Sequence, residues 1–188
     1  MTDLRNDLLG ALPATTRLIE AVQADQWPQT STCQEWTVRE LVDHLVGGVA
    51  LTAAVLDGED PTDRPDLSQM DNADLAAAFA RAGETVTAAL ADPEVLQRTV
   101  RVGMGPVPGA VAAQLCLVET LVHGWDIAAS TGQDVDFAED TVQRALEFSQ
   151  GMMSQIPEGR SPFAPSVEPS PDASTLDALV ALLGRNPH

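Results

Sequence analysis

Carboxylate and imidazole side chains recur at helical spacing within one apolar stretch, residues 115–132. Glu119, His123 and Asp126 occupy positions i, i+4 and i+7, which lie along one face of an α-helix. Charged groups on a buried face are costly unless they are paired or bind a metal ion. A Glu and a His on adjacent turns can bind one cation, and they can equally form a simple hydrogen-bonded pair. The spacing alone leaves both interpretations open.

His44 is the second imidazole that could join this face. The chain has three histidines, and His188 is its last residue, where no structural role is expected. His44 falls on the apolar stripe of a predicted helix that begins near Val38, so it could face His123 across a helical core with Glu119 beside both. Such a His, Glu, His set leaves open coordination positions on a zinc-like ion. The alternative is that each histidine is a hydrogen-bonded core residue.

Four further residues near these positions allow more than one role. Asp126 could accept a hydrogen bond from a metal-bound imidazole, could be a fourth ligand, or could be a polar group near a helix end. Trp36 is expected to pack in the core or to line a pocket. Cys33 and Cys116 are the only cysteines and have no CxxC neighbour, which excludes a disulfide framework. Cys116 is expected in the core, and Cys33 precedes a predicted helix start without other signs of a nucleophile.

Helices must position these residues, because apolar side chains recur every three or four positions through most of the chain. A capping-box pattern at Thr37–Glu40 marks the start of one helix, and Gly132 marks the end of another. Residues 91–108 connect two helices through a β-like segment at 99–102. The pattern predicts an all-α helical bundle. Its helices are expected at about 3–24, from 38 to the middle fifties, and at 71–90, 109–132, 137–153 and 174–183.

Two segments lack helical periodicity. Residues 57–65 are expected to form a turn-rich acidic loop. Residues 157–174 contain five prolines and are expected to form an extended strap. Gly47 and Gly48, inside the predicted second helix, indicate close approach of a neighbouring helix or ligand, although an alanine-rich neighbour would explain them equally well. We expect a bundle over residues 1–155, with the strap and short C-terminal helix, 156–188, packed on the same domain.

Charge and hydropathy limit the classes of partner. All ten cations are arginine, Asp and Glu number 28, and the formal net charge is −18. Such a surface repels phosphate backbones, so nucleic acid is not an expected partner. The first seven residues are not a secretory signal, and the longest apolar stretch, residues 46–56, is too short to span a bilayer. We therefore expect a cytoplasmic protein that is not a membrane protein.

Three sequence segments together carry a resemblance to a known family. They are Cys33-Gln-Glu-Trp-Thr-Val-Arg-Glu-Leu-Val-Asp-His-Leu-Val-Gly47, Glu119-Thr-Leu-Val-His-Gly-Trp-Asp126 and Thr131-Gly132. With these segments the chain resembles the DinB-like superfamily, and within it the branch related to the N-terminal domain of mycothiol-dependent maleylpyruvate isomerase. The resemblance covers most of residues 1–150. It implies a DinB-like four-helix bundle, here with a short extra C-terminal helix, and a divalent metal, zinc first and nickel second.

The resemblance also implies the ligand set and a type of chemistry. The positions that match the metal ligands of this branch are His44, Glu119 and His123, with Asp126 in the shell behind them. Chemistry in the family joins a low-molecular-weight thiol, such as mycothiol, to a small electrophile. The isomerase carries a larger C-terminal domain, so isomerisation of maleylpyruvate itself is not expected. We expect a metal-dependent thiol transferase or isomerase, with a non-enzymatic metal-binding or small-ligand-binding module as the alternative and a homodimer as a candidate assembly.

Overall fold

Apolar residues at helical spacing fold into helices that bury one face each. The structure, a computed structural model, describes residues 2–33, 35–61, 63–103, 105–156 and 163–187. The helices are α1 (Thr2–Glu20), α2 (Val38–Asp57), α3 (Asn72–Ala89), α4 (Pro93–Gln97), α5 (Gly109–Thr131), α6 (Glu139–Met153) and α7 (Thr175–Leu182). The strands are β1 (Thr99–Val102) and β2 (Gly105–Pro108). The predicted all-α fold is confirmed, and the strands form only a small antiparallel hairpin.

Four of the helices pack in a closed cycle. α1 packs against α3 and α5, and α2 packs against the same two helices, so α1 and α2 are diagonal to each other. The first two helices of the chain are therefore joined by a connection that crosses one end of the bundle, residues 21–37. The core between the four helices is filled by fully buried apolar side chains: Leu8, Ile19, Leu41, Leu45, Leu56, Leu75, Phe79, Leu117, Leu121 and Ile127.

Most helix boundaries follow from local sequence signals. The predicted capping box is present, with the Thr37 side chain accepting from the Glu40 amide and the Glu40 carboxylate accepting from the Thr37 amide. Gly132 ends α5 in the left-handed conformation, with φ of 71°. α1 ends at Glu20, four residues before its predicted end, and Pro13 lies inside it without dividing it. The short helix α4 and the second strand of the hairpin were not predicted, although Asp92 and Pro93 are a helix-start signal for α4.

The chain divides into two compact units, Met1–Asp136 and Phe137–His188. The first unit holds the four-helix cycle and the hairpin. In the second unit α6 and α7 pack together, and α7 begins at a capping box formed by Ser174 and Asp177. The predicted strap is non-helical over 163–173, and residues 157–162 lie outside the described part of the chain. The predicted division at residues 155 and 156 stays a prediction.

None of the described helices is both long enough and apolar enough to cross a bilayer.

Gly109 occupies a position at which the chain has no room for a side chain. Its amide donates to the Arg98 carbonyl at 2.8 Å, where the hairpin passes into α5. A Cβ at this position would lie 2.1 Å from the Val95 carbonyl oxygen, which belongs to α4. The start of α5, and with it the placement of the helix that carries the site, depends on this contact between backbones.

We therefore expect Gly109→Ala to lower the free energy of unfolding by about 1–3 kcal/mol, since the backbone must shift to relieve the overlap. The matched control is Gly10→Ala in α1, where no atom lies within 4 Å of the added Cβ. Because alanine is the better helix former, this control should raise stability by about 0.5–1 kcal/mol. Chemical denaturation of both variants measures the difference, and equal stabilities would contradict the packing argument.

Candidate metal centre

α2 and α5 supply the side chains of the centre. The two helices pack directly against each other in the first compact unit. α2 contributes His44 from its second turn, and α5 contributes Glu119, His123 and Asp126 from one face. α5 is almost wholly apolar apart from these groups, so its polar face is placed by the burial of the rest of the helix.

Three side chains converge on a single point between the helices. His44 Nε2 lies 3.3 Å from Glu119 Oε2, and His123 Nε2 lies 3.6 Å from the same oxygen. The two imidazole rings stand edge to face with centroids 5.1 Å apart. The His123 side chain is 8% exposed, whereas those of His44 and Glu119 are 23% and 33% exposed. The cluster therefore lies at the edge of the core, with one side open to solvent.

Asp126 lies behind His123. The Asp126 side chain is fully buried, and its Oδ2 lies 2.9 Å from His123 Nδ1. Its other contacts come from the connection between α1 and α2, where Thr32 Oγ1 donates to Oδ1 at 2.6 Å and Cys33 Sγ donates to Oδ2 at 3.4 Å. With Nδ1–H donated to a carboxylate, His123 directs Nε2 toward Glu119 and the open side of the cluster.

The same connection is fixed to α5 by a second set of hydrogen bonds. The backbone amide of Thr32 donates to Ser130 Oγ at 3.0 Å, and Ser130 Oγ donates to the Asp126 carbonyl at 2.6 Å. Because Thr32 is bonded through both its amide and its hydroxyl, the hydroxyl is held at Asp126. The orientation of His123 thus depends on a segment more than ninety residues earlier in the chain.

The charges of the cluster follow from this geometry. Burial alone would raise the pKa of Glu119, but hydrogen bonds and charges from His123 and His44 outweigh it and hold that pKa well below its usual value. Burial alone would lower the pKa of His123, but its hydrogen bonds with Asp126, Cys33 and Glu119 outweigh burial and raise that pKa well above the usual value. Without a metal, His123 is therefore a cation between two carboxylates.

His44 is the neutral member of the cluster. Burial lowers its pKa, the hydrogen bond to Glu119 opposes the shift, and the nearby Arg64 charge adds to it. Arg64 Nη1 lies 2.5 Å from His44 Nδ1 and 3.1 Å from Nε2. These two distances place the guanidinium against the face of the imidazole, and Nε2 lies 3.3 Å from Glu119 Oε2. Arg64 was not among the residues that the sequence pattern brought to the site.

Arg64 reaches His44 along the surface of α2. A Cβ on Gly47 would lie 3.4 Å from Arg64 Cβ, and a Cβ on Gly48 would lie 3.6 Å from Arg64 Nη2. Both distances are ordinary van der Waals contacts, so the neighbour of the two glycines is the Arg64 side chain, and a methyl group would fit at either position. Arg39 fixes the loop farther on by donating to the Leu67 carbonyl at 2.8 Å and the Met70 carbonyl at 2.9 Å.

Trp36 borders the cluster on the side of the α1–α2 connection. Its ring centroid lies 4.5 Å from that of His44 and 6.3 Å from that of His123. The Trp36 side chain is half-buried and packs on the ring of His44. Its expected role in lining a pocket stays a prediction.

The donor set fits a divalent metal. The ligand atoms of His44, Glu119 and His123 all lie within 4.8 Å of one another. In a tetrahedral zinc site with bonds near 2.1 Å, two ligand atoms are separated by about 3.4 Å. The distances of 3.3 Å and 3.6 Å to the Glu119 oxygen agree with that value. Two imidazoles and one carboxylate are also the ligand types of an open catalytic zinc site.

His123 also belongs to a second set of side chains that could bind a metal ion. Cys33, His123 and Asp126 also place one ligand atom each within 4.8 Å of one another. In this group the Asp126 carboxylate is fully buried and already accepts from Thr32, Cys33 and His123. The group is therefore a closed set of hydrogen bonds, and the open side belongs to the first group.

The sequence pattern predicted that the three proposed ligands and Asp126 lie together. It did not predict that Thr32 and Arg64 contact them. Thr32 gave no signal because the connection that contains it shows no periodicity. Arg64 did give one, since it is the single cation in the acidic loop 57–65. An isolated cation among four acids is unusual enough to draw attention, but only the fold shows that it points to His44.

The closed cycle of four helices, with His44, Glu119 and His123 clustered between two of them, is the architecture of a DinB-like bundle. Residues 8–128 match the family model of the mycothiol maleylpyruvate isomerase N-terminal domain. The matched residues are more than half of the chain, and the protein belongs to this family. The resemblance noted from the sequence is thereby confirmed.

Relatives and solved structures agree with this assignment. Two Mycobacterium tuberculosis proteins, named Uncharacterized protein MT0763 (strain CDC 1551 / Oshkosh) and Uncharacterized protein Rv0738 (strain ATCC 25618 / H37Rv), are each 32% identical over 181 residues, 93% of either chain. The crystal structure of mycothiol-dependent maleylpyruvate isomerase has a TM-score of 0.62 and 18% identity, covering 82% of this chain and 71% of the isomerase. A histidine-to-alanine mutant of that enzyme gives the same TM-score at 16% identity. The structural likeness establishes the fold.

Cys116 lies in α5 one turn before Glu119 and is buried, as expected. Burial, reinforced by the charge of Glu119, raises the pKa of its thiol to about 12. Since the thiolate is the reactive form, Cys116 should resist iodoacetamide in the folded protein at every pH below about 11. In Cys33→Ser protein, mass spectrometry should show no adduct at pH 8.5 before denaturation and one adduct afterwards. An adduct on the folded variant would contradict the burial of this thiol.

Proposed function

We propose that the protein binds a divalent metal through His44, Glu119 and His123 and catalyses a thiol-dependent transfer or isomerisation of a small electrophile. The observation that carries the proposal is the convergence of His44 Nε2 and His123 Nε2 on one Glu119 oxygen, at 3.3 Å and 3.6 Å. Membership of the maleylpyruvate isomerase family supports the same conclusion.

Each residue of the cluster has a distinct part in this proposal. Glu119 supplies the one anionic ligand, and Asp126 holds the His123 ring through Nδ1 so that Nε2 faces the metal position. When bound, a divalent metal lowers the pKa of a coordinated thiol and holds the thiolate near its target. Trp36 covers the ring of His44 and limits access of water on that side.

The cosubstrate is proposed to be a low-molecular-weight thiol of the mycothiol type. The name of the solved relative, mycothiol-dependent maleylpyruvate isomerase, supports this choice. The open side of the cluster, with two of the three ligands partly exposed, supports a site that an external molecule can reach. Zinc is the first choice of metal and nickel the second, because imidazole and carboxylate suit both.

A non-enzymatic metal-binding or small-ligand-binding module is the second candidate. This candidate is favoured because the structural match covers only 71% of the isomerase, so part of that enzyme is not matched by this chain. A cytoplasmic location and a homodimer stay predictions under either candidate, and the net charge of −18 disfavours nucleic acid as a partner.

Elemental analysis of untagged protein tests the metal site. We expect one divalent ion per chain in the wild type and loss of most of it in His44→Ala and His123→Ala, because each removes a ligand. Glu119→Gln should weaken metal binding by removing the ligand charge. Glu84→Gln, which neutralises an exposed carboxylate on α3, is the control and should keep the wild-type content. Wild-type protein without stoichiometric metal would contradict the proposal.

Asp126→Asn tests the residue behind the ligands. Because the amide lacks the charge that orients His123, we expect metal affinity to fall by about 10–100-fold with the three ligands intact. Asp134→Asn makes the same change at an exposed site and should leave affinity unchanged. Calorimetric titration with Zn²⁺, together with thermal unfolding of both variants, measures the effect. An unchanged affinity in a folded Asp126→Asn protein would show that the carboxylate is not needed there.

A thiol-consumption assay separates the enzyme from the binding module. Metal-loaded protein should accelerate the reaction of mycothiol with an activated alkene, and metal-stripped protein or the His44→Ala variant should not. The loss of a free thiol is followed with a chromogenic disulfide. Stoichiometric metal without any thiol-dependent rate, across several thiols and electrophiles, would favour the binding module.

A further inference from the structure

A groove between α1 and α3 lies on the side of the bundle opposite the candidate metal centre. Its volume is about 370 Å³. Its lining includes Leu9, Pro13 and Arg17 of α1, each one turn from the next, and Ala80 and Glu84 of α3. In the cycle of four helices, the pair α1 and α3 is opposite the pair α2 and α5, which carries the proposed ligands. The proposed function therefore makes no use of this groove.

Leu9 leaves apolar surface at the edge of the α1–α3 groove. Among the described residues it is the one exposed large apolar residue, at 45% exposure. A single exposed leucine is common, but this one borders an apolar groove. Gly10 follows it, and a Cβ at Gly10 would meet no atom within 4 Å, so another helix can come close to α1 here. The surface thus has both an apolar side chain to insert and an apolar groove to receive one.

α1 and α3 run in opposite directions along the groove. Near the start of α1 and the end of α3, Arg5 Nε donates to the Thr87 carbonyl at 2.9 Å. Farther along, a Cβ at Gly83 would lie 3.1 Å from Leu12 Cδ1. Residues later in α1 therefore contact residues earlier in α3.

This register places opposite charges at opposite ends of the groove. Arg17 lies at the end of Ala80, and Glu84 lies at the end of Leu9. Both charged residues are exposed, so water solvates them in a single chain. Pro13 is four residues from both Leu9 and Arg17, and a two-fold axis beside it would exchange the two ends. Arg17 of one copy would then meet Glu84 of the other. Leu9 would enter the groove beside the Ala80 of the second copy.

The groove is also neutral on a strongly acidic chain. Of the described residues that line it, one is an arginine and one is a glutamate, and the others carry no charge. The whole chain has a formal net charge of −18, so two copies repel each other over most of their surfaces. Association of two copies is easiest where the charges balance and where each end faces its opposite. A basic partner would instead be drawn to the acidic surfaces elsewhere.

We propose that the α1–α3 groove is the interface of a symmetric homodimer. Each copy inserts Leu9 into the groove of the other and pairs its Arg17 with Glu84 of the other. The interface leaves the α2–α5 side of each bundle uncovered, so both metal centres keep their open sides. The proposal is independent of the metal site and of the reaction.

Sedimentation velocity of the full chain over a range of concentrations tests the interface. We expect the wild type to dimerise reversibly, with a dissociation constant of about 1–50 µM. Arg17→Glu should raise that constant by about 10–100-fold, because it sets glutamate against glutamate at two symmetric places. The double variant Arg17→Glu/Glu84→Arg has the wild-type net charge and restores both ion pairs. It should return the constant to within about threefold of the wild type. Leu9→Gln should weaken the dimer by about tenfold or more, since both copies lose the buried leucine.

Arg101→Glu is the matched control, since it changes the net charge as Arg17→Glu does. Arg101 is 64% exposed and lies in the hairpin, away from the groove. This variant should dimerise as the wild type does. Wild-type protein that is monomeric at about 200 µM would overturn the interface, including a monomer that carries a small apolar molecule in native mass spectrometry. A dimer that resists both Arg17→Glu and Leu9→Gln would also overturn it, and so would a double variant as weak as Arg17→Glu alone.

Discussion

The hydrogen bond between Asp126 and His123 is the constraint on which the site depends. A carboxylate with no solvent exposure is tolerable only because three donors reach it, from α5 and from the α1–α2 connection. That set of bonds holds the imidazole in one orientation and directs Nε2 to Glu119. Packing and electrostatics therefore favour the same rotamer of His123, so the site is preorganised before any ligand enters.

The diagonal placement of α1 and α2 explains how distant segments meet there. Helices that follow each other in the chain but do not pack together need a long connection, and residues 21–37 cross the end of the bundle. This connection brings Thr32, Cys33 and Trp36 to the face of α5 that carries His123 and Asp126. The bundle itself supplies the three proposed ligands, and its irregular connections supply the groups around them.

The helices whose ends carry local sequence signals could be predicted from the sequence. The capping box at Thr37–Glu40 and the left-handed Gly132 are local, and both are found as predicted. The spacing of Glu119, His123 and Asp126 is local as well, so their common face could be predicted. Arg64 and Thr32 could not be assigned, because their contacts with His44 and Asp126 depend on loop paths that no periodicity encodes. The hairpin partner β2 was not predicted for a related reason, since three of the four residues of Gly105–Pro108 are glycine or proline, a composition typical of a turn.

The burial of Cys116 has a consequence for the proposed reaction with an electrophile. Its thiol lies one helical turn from Glu119, yet its pKa of about 12 keeps it protonated and the core keeps it out of reach. The chain also contains no lysine, so it offers no side-chain amine. Of the two thiols, only that of Cys33 is therefore left for a reactive molecule to reach at the centre, since Cys33 is partly exposed and lies 3.4 Å from Asp126 Oδ2. Modification of the protein by its own substrate would be confined to that one side chain among the cysteines.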